Sequence, residues 1–154
     1  MLSRYSQIVF LLAMIIVGFA LTESTHAKDW PQFRGDNASG VSNEDYPLPA
    51  DLDSEENLRW KTPLGKGHSS PVVFGDRIFV TARDGDRLLT LAMDAKSGKV
   101  LWEAAADYEK LERIHRIGSH ATPSAVTDGT IVASMFGSSG LHASDPDGKL
   151  PSQQ

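Results

Sequence analysis

The chain has 154 residues, with 15 lysines and arginines against 20 aspartates and glutamates and a formal net charge of −5 at pH 7. Its lack of cysteine excludes disulfides, cysteine-ligated zinc, covalently attached c-type haem and a lipid-modified N-terminal cysteine in this sequence. Because the acidic balance comes without a basic cluster, we expect no nucleic-acid partner.

An apolar run of 14 residues, 8–21, follows Arg4 near the start of the chain. The run is shorter than the roughly 20 residues that a membrane-spanning helix needs. Thr25 and Ala27 suit a signal peptidase, and the layout is typical of a secretory signal peptide. We expect residues 1–27 to be a signal peptide cleaved after Ala27, export to the periplasm or the extracellular space, and no stable membrane anchor afterwards. An uncleaved N-terminal anchor is the alternative.

Residues 28–56 are rich in Asp, Asn, Gly, Ser and Pro, and prolines interrupt any regular element before it could run long. We therefore predict an extended, irregular lead-in.

Short runs of β-branched and aromatic residues, separated by Gly and Asp clusters, begin after Asn57 and indicate strands joined by tight turns. We predict strands near residues 58–61, 70–74, 78–82, 88–94 and 99–104, the last four as one antiparallel meander. The turn before the closing strand agrees with this meander, since the Asp94 carboxylate can accept hydrogen bonds from nearby backbone amides and Gly98 can adopt a left-handed conformation. Trp102 then supplies a large apolar ring.

A second set of strand signals follows a segment of mixed charge. In residues 107–117 apolar side chains recur every three residues, which predicts one short helix or an ordered loop. Further strands are predicted near 122–127, 130–136 and 141–145. The fourth strand of this set is missing: residues 148–152 read Gly-Lys-Leu-Pro-Ser where residues 98–102 read Gly-Lys-Val-Leu-Trp.

The two sets are copies of one unit. Four positions recur 52 residues apart: His68 with His120, Ser70 with Thr122, Pro71 with Pro123, and Asp76 with Asp128. Two more recur 50 residues apart: Gly98 with Gly148, and Lys99 with Lys149. Four-stranded units at a period of roughly 40 to 50 residues are the signature of a β-propeller. The sequence therefore predicts an all-β chain of four-stranded antiparallel meander blades, about two of them, which make an incomplete ring.

The closing strand of the unit carries a recurring motif. It stands as Ala92, Asp94, Gly98, Lys99 and Trp102. A partial copy, one residue shorter and without the tryptophan, stands as Ala143, Asp145, Gly148 and Lys149. In these residues the chain resembles the exported proteins with pyrroloquinoline-quinone-like (PQQ-like) β-propeller repeats, whose blades close on Ala-x-Asp-x-x-x-Gly-Lys-x-x-Trp. Residues 58–60 look like the tail of a preceding blade, and residues 29–35 resemble the start of many bacterial members.

The resemblance implies a ring of seven or eight blades, more than this chain can supply. We divide residues 57–154 into a blade at 57–106 that includes a preceding strand, an inter-blade segment at 107–118 and an incomplete blade at 119–154. We expect a truncated copy or fragment of a longer propeller, with apolar blade faces that further blades would cover to complete the ring. A domain-swapped or homo-oligomeric ring is the alternative.

His68 and His120 are the candidate chemical groups, since the repeat presents them at equivalent points of adjacent blades. One interpretation is a metal or quinone site. The other is a structural role, in which each imidazole bonds a backbone carbonyl or packs between blades, and we favour it. We assign no catalytic residue and no metal ligand.

Quinoprotein dehydrogenases of the resembled family hold PQQ and calcium with residues from several blades, and many add a pair of adjacent cysteines. The resemblance therefore implies PQQ with calcium only in the context of a complete propeller. We expect an exported, non-catalytic binding or scaffold module whose partner is an unidentified protein or small-molecule ligand. Part of a PQQ-dependent dehydrogenase is the alternative. An outer-membrane assembly propeller ranks third, because such proteins are typically lipid-anchored through a cysteine, which this sequence lacks.

Overall fold

The computed structural model describes residues 29–42, 47–51 and 55–149. The predicted signal peptide and the end of the predicted incomplete blade, 150–154, lie outside the described residues.

The first sheet is the predicted four-stranded meander. Its strands are β1 (Val72–Phe74), β2 (Arg77–Asp84), β3 (Arg87–Asp94) and β4 (Val100–Ala106), hydrogen-bonded in the order β1-β2-β3-β4 with every neighbouring pair antiparallel. Gly75 and Gly85, each with a φ of +57°, reverse the chain in the two-residue turns before β2 and β3. The Gly-Asp pairs in the sequence therefore set the register of this sheet.

The second sheet has three strands. They are β5 (Val126–Thr127), β6 (Val132–Met135) and β7 (Leu141–Ser144), antiparallel and in the order β5-β6-β7. In the described part of the chain, helical structure is limited to two 3₁₀ turns, at Asp36–Ala38 and Gly137–Ser139. The predicted all-β fold of antiparallel meander units is confirmed.

Residues 58–61 do not form the predicted strand. A strand is held by hydrogen bonds to a neighbouring strand, and these four residues pair with none in the described chain. Residues 107–117 contain no helix and form an ordered loop, which is one of the two forms that the sequence predicts.

The two sheets pack face to face around two apolar clusters. One cluster contains Val72, Phe79, Ala92, Ala125 and Val132. The other contains Leu88, Ala106, Ala121 and Phe136. On the opposite face of the first sheet a third cluster, Val80, Ala82, Leu89, Leu91 and Met93, packs against Trp60 and Ile78. The central strand β3 is thus covered on both faces, which explains why its apolar residues run without alternation.

The tryptophan that closes the first unit packs onto the last turn of the second unit. Trp102 Nε1 donates to the Pro146 carbonyl at 2.8 Å, and a Cβ at Gly148 would lie only 2.7 Å from the Trp102 ring. Trp60 makes the equivalent contact one unit earlier, donating to a carbonyl of the Asp94 turn at 3.1 Å and covering Gly98. Trp60 therefore packs as the tryptophan of a preceding unit would, although it lies outside any strand.

The lead-in crosses the inner edges of both sheets. Trp30 and Val73 form an antiparallel bridge, in which Trp30 N–H donates to Val73 O at 2.7 Å and Val73 N–H donates to Trp30 O at 2.9 Å. The Pro31 carbonyl then accepts the N–H of Thr127 on β5 at 2.9 Å. The lead-in therefore covers the exposed edge of β1 and joins the two units.

The Asp128 carboxylate holds the turn between β5 and β6. Its Oδ1 accepts the N–H of Ile131 at 2.9 Å and both the N–H and the hydroxyl of Thr130 at 2.8 Å. These bonds, that from Ile131 first, stabilise the charged carboxylate and lower the pKa of Asp128 from 3.8 to about 2.

We expect the chain to lose stability as the pH falls from about 4 towards about 2, and part of this loss to disappear in Asp128→Asn. A carboxyl group whose pKa is lowered by folding stabilises the folded state above its unfolded pKa, and this contribution is lost as the pH falls through the folded pKa. Urea midpoints at several pH values measure the effect. An identical pH dependence in the two proteins would contradict the prediction.

Candidate functional site

A groove of about 740 Å³ lies at the inner edge, where the lead-in meets both units. Its lining residues are Gln32, Phe33, Ala38, His68, Thr122, Pro123, Ser124, Ala125 and Val126. None of them carries a carboxylate, ammonium or guanidinium group. The volume is within the range of small-ligand sites, about 300 to 1,000 Å³. The groove therefore suits an uncharged ligand.

A second groove, of about 520 Å³, shares Gln32 and Val126 with the first. Three carboxylates line it, those of Asp29, Asp36 and Asp128. These carboxylates serve the fold: Asp29 accepts a backbone N–H at 2.7 Å, and Asp128 holds its turn. The uncharged groove is therefore the stronger candidate site.

The two copies of the repeated entry segment touch each other beside this groove. His68 N–H donates to Ala121 O at 3.0 Å, and Ser70 N–H donates to Ser124 Oγ at 2.8 Å. The repeated sequence thus builds both the junction between the units and one wall of the groove. The serine and alanine that make these contacts were not among the predicted site residues.

His120 is 8% exposed, and both of its ring nitrogens are engaged. Arg83 Nη1 lies 3.3 Å from Nδ1, and Nε2 lies 2.9 Å from the Glu112 carbonyl oxygen. Because a guanidinium group only donates, Nδ1 is the acceptor and Nε2 carries the hydrogen that is donated to the carbonyl. In this geometry His120 fastens the inter-unit loop to the first sheet.

His68 has a different environment, although the repeat makes it the counterpart of His120. Its side chain is exposed, lines the uncharged groove and makes no hydrogen bond within residues 29–42, 47–51 and 55–149. The two environments differ because the groups that bind His120, Arg83 and the Glu112 carbonyl, come from the sheet and the loop that precede its own unit. His68 is thus the repeat histidine available to a ligand.

We expect His120→Ala to lower the free energy of unfolding by about 1 to 3 kcal/mol, since it removes a buried ring together with its hydrogen bonds to Arg83 and to the Glu112 carbonyl. His68→Ala is the matched control, with an expected change within about 0.5 kcal/mol because the ring is exposed and unbonded. Urea denaturation of both variants measures the difference. Equal losses would contradict the assignment.

The closing motif forms the last turn of each unit. Asp94 Oδ1 accepts the hydroxyl of Ser97 at 2.6 Å and its N–H at 2.7 Å, and these bonds, the hydroxyl first, lower the pKa of Asp94. Asp145 Oδ1 accepts the N–H groups of Asp147 and Lys149, both at 2.9 Å. The motif carboxylates therefore hold turns.

The remaining predicted positions also lie in turns, core or entry segments. Gly98 and Gly148 have φ values of +69° and +83°, and each lies under a tryptophan. The carbonyls of Lys99 and Lys149 accept the N–H groups of the motif aspartates at 2.9 and 2.8 Å, and the Asp76 carbonyl accepts a turn N–H. Ala92 is fully buried, Ala143 is partly buried, and Pro71 and Pro123 are exposed at the unit entries.

Sequence reasoning missed Gln32 and Phe33, which form the lead-in wall of the groove. The available signal was the cluster of aromatic and proline residues at 30–33 in an otherwise polar segment. Among the residues that the structure describes, no three histidine, aspartate or glutamate side chains are grouped as a metal site. No helix in the described ranges has the length and apolarity to cross a membrane.

Comparison with known families gives one match. A model of PQQ-like repeats, described as outer membrane protein assembly factor BamB, matches residues 38–154. This stretch contains both sheets and both copies of the closing motif. No curated protein and no solved structure matches the chain. The match bears out the PQQ-like resemblance, and its description is that of the assembly propellers, which the sequence analysis ranked third.

Proposed function

Because this chain belongs to the PQQ-like repeat family described as outer membrane protein assembly factor BamB, we propose that it is an exported, non-catalytic β-propeller module that binds a protein partner as a scaffold. An assembly factor acts through binding, which supports a scaffold role over quinone-dependent oxidation. The sequence analysis ranked the assembly propellers last because the sequence lacks the cysteine that typically carries their lipid anchor. That cysteine is not part of the repeat that the family model matches, so its absence does not weigh against the match.

The observation that carries the proposal is the head-to-tail packing of the two units. In the strand register, Ala133 pairs with Ala143 as Phe79 pairs with Ala92, and Val132 pairs with Ser144 as Ile78 pairs with Met93, so Val132 occupies the position of Ile78. Val132 is buried against the first sheet, and Phe79 is buried against the second. Each unit thus packs through one face on the unit before it and offers its other face to the unit after it. Interfaces of this type continue until a ring closes.

The outward face of the second sheet is apolar and exposed. Its large side chains are Val126, Ile131, Met135 and Leu141, the last 72% exposed. By the repeat, this face matches the face of the first sheet on which the second sheet lies. An exposed apolar face of this kind marks an interaction surface. A further repeat unit is the partner that fits it.

We expect Met135→Lys with Leu141→Lys to reduce both hydrophobic-dye fluorescence and concentration-dependent self-association of the isolated chain. The matched control is Ile117→Lys, which charges an equally exposed side chain in the loop between the units. Dye titration and sedimentation velocity measure the two effects. Equal responses in the double variant and the control would contradict a stacking face.

Titration of the purified protein with PQQ and calcium separates the scaffold from part of a quinone-dependent dehydrogenase. We expect no saturable change in the quinone absorbance and no dye-linked alcohol oxidation, because His120 is engaged in hydrogen bonds and His68 faces an uncharged groove. Saturable quinone binding together with dye reduction would overturn the proposed function.

A further inference from the structure

One wall of the uncharged groove is a loop of the lead-in with an unusual backbone. Arg34, Asn37 and Ala38 have φ values of +63°, +54° and +53°, in the left-handed region that residues other than glycine rarely adopt. In the described parts of the chain, every other positive φ belongs to a glycine. Conformations of this kind persist where the surrounding structure fixes them, and they cluster at ligand-binding sites. The groove therefore lies beside the segment in which backbone strain is concentrated.

Hydrogen bonds within the loop hold this conformation. Gly40 N–H donates to Arg34 O at 2.7 Å, and Gln32 Nε2 donates to Gly35 O at 3.0 Å. Phe33 lies between the two bonded segments and lines the groove. The wall is thus fixed before a ligand arrives, and binding does not have to order it.

Four polar side chains of the groove have hydrogen-bonding capacity that the described chain does not use. The His68 imidazole makes no bond there and can donate from one nitrogen and accept at the other. Gln32 keeps its Oε1 as an acceptor, since only its Nε2 is bonded. Ser124 Oγ accepts a backbone N–H at 2.8 Å and can still donate its hydroxyl hydrogen, whereas Thr122 Oγ1 donates to a backbone carbonyl at 2.6 Å and can still accept. The groove therefore offers both donors and acceptors, all of them uncharged.

The same groove contains an exposed aromatic ring. Phe33 is 57% exposed and lines the groove together with Pro123 and Val126. The face of an aromatic ring is electron-rich and attracts the slightly positive hydrogens of C–H groups. The groove thus combines an apolar surface for one face of a ligand with neutral hydrogen-bonding groups around it.

A sugar ring has the complementary chemistry, since its faces carry C–H groups and its edge carries hydroxyls that each donate and accept. A wholly apolar ligand would cover the His68 and Gln32 side chains without giving them a partner, which costs binding energy. A ligand with a carboxylate or phosphate finds no cation among the lining residues, and the three carboxylates of the adjoining groove repel it.

We propose that the uncharged groove binds a neutral saccharide. One face of a sugar ring lies on Phe33, and the sugar hydroxyls form hydrogen bonds with His68 and Gln32. The inference goes beyond the scaffold role, because it assigns this chain a small-molecule ligand in addition to a protein partner.

The test is an NMR titration of the ¹⁵N-labelled protein with cellobiose and with maltose, two neutral disaccharides. We expect saturable shifts of the Phe33, His68 and Ser124 amides with at least one of them, and none at Gly85, which lies in a turn outside the groove. Glucose and glucuronic acid are a matched pair of probes, since they differ by one carboxylate. We expect glucuronic acid to bind severalfold more weakly than glucose.

Variants of the two proposed contact residues complete the experiment. Phe33→Ala should weaken binding about tenfold, whereas Phe33→Trp, which keeps an aromatic face, should bind at least as well as the unaltered chain. His68→Ala should weaken binding severalfold. The matched control is His115→Ala, which removes an exposed histidine in the loop between the units and should leave the affinity unchanged.

Three results would overturn the proposal: no saturable shift with either disaccharide, shifts confined to residues outside the groove, or unchanged affinity in Phe33→Ala. Met135→Lys with Leu141→Lys should bind the sugars normally, because neither side chain lines the groove. A negative sugar titration therefore removes this site alone, whereas a positive quinone titration removes the proposed function.

Discussion

Trp102→Ala is expected to lower the free energy of unfolding by about 3 kcal/mol, the lower end of the range for large aromatic truncations because the ring is only partly buried. The variant removes an indole ring that packs against Phe79, with the two ring centroids 6.1 Å apart. The same indole ring covers Gly148. It also leaves the Pro146 carbonyl without the indole N–H at 2.8 Å. The contacts with Gly148 and Pro146 cross the interface between the two units, whereas Phe79 belongs to the same sheet as Trp102.

Urea denaturation followed by circular dichroism measures this change. Trp102→Phe is the matched control, since it keeps a ring but not the hydrogen bond, and it should cost less than the alanine variant. Trp60→Ala should destabilise in the same direction, because Trp60 makes the equivalent hydrogen bond and covers Gly98. A loss below about 1 kcal/mol in Trp102→Ala would show that the indole contact does not hold the units together.

Gly98→Ala is expected to cost about 3 kcal/mol, from two sources. Its φ of +69° is a left-handed conformation that costs an alanine about 1 kcal/mol. The new Cβ would also lie 2.3 Å from the ring of Trp60 and 2.8 Å from Thr62 Oγ1, and relieving such overpacking costs about 1 to 3 kcal/mol.

Gly85→Ala separates these two sources. Gly85 has a similar φ of +57°, but a Cβ there would meet nothing within 4 Å. We expect this variant to show the backbone cost alone, about 1 kcal/mol. The difference between the two urea midpoints reports the packing of Trp60 on the turn. Equal losses would mean that Trp60 moves aside without cost.

The strands of the first sheet were predictable because local signals agree with each other there. Runs of apolar residues lie between Gly-Asp turns, and the turn glycines need a positive φ that the sequence indicates in advance. The strand predicted at 58–61 failed for the opposite reason. Its composition favours a strand, but strand formation needs a partner, and composition does not report one.

The candidate site was less predictable than the fold. His68 and His120 are indistinguishable in the repeat, yet one ring is held by Arg83 and a loop carbonyl and the other faces a groove. The difference comes from the groups that lie beside each histidine, and for His120 one of these, Arg83, is 37 residues away in the sequence. Gln32 and Phe33 were not predicted as site residues, because only the path of the lead-in across the two sheets brings them to the groove.

By itself the sequence determined the repeat, the all-β class, the meander order of the first sheet and the structural role of the closing motif. These depend on interactions between residues close in the chain, such as the carboxylate bonds within the turn at Asp94. Tertiary structure alone decided which face of each unit is covered, which repeat histidine is free and where the lead-in runs. Those outcomes depend on packing and hydrogen bonds between distant segments, and the bond from Thr127 N–H to Pro31 O, which joins β5 to the lead-in, is the clearest example.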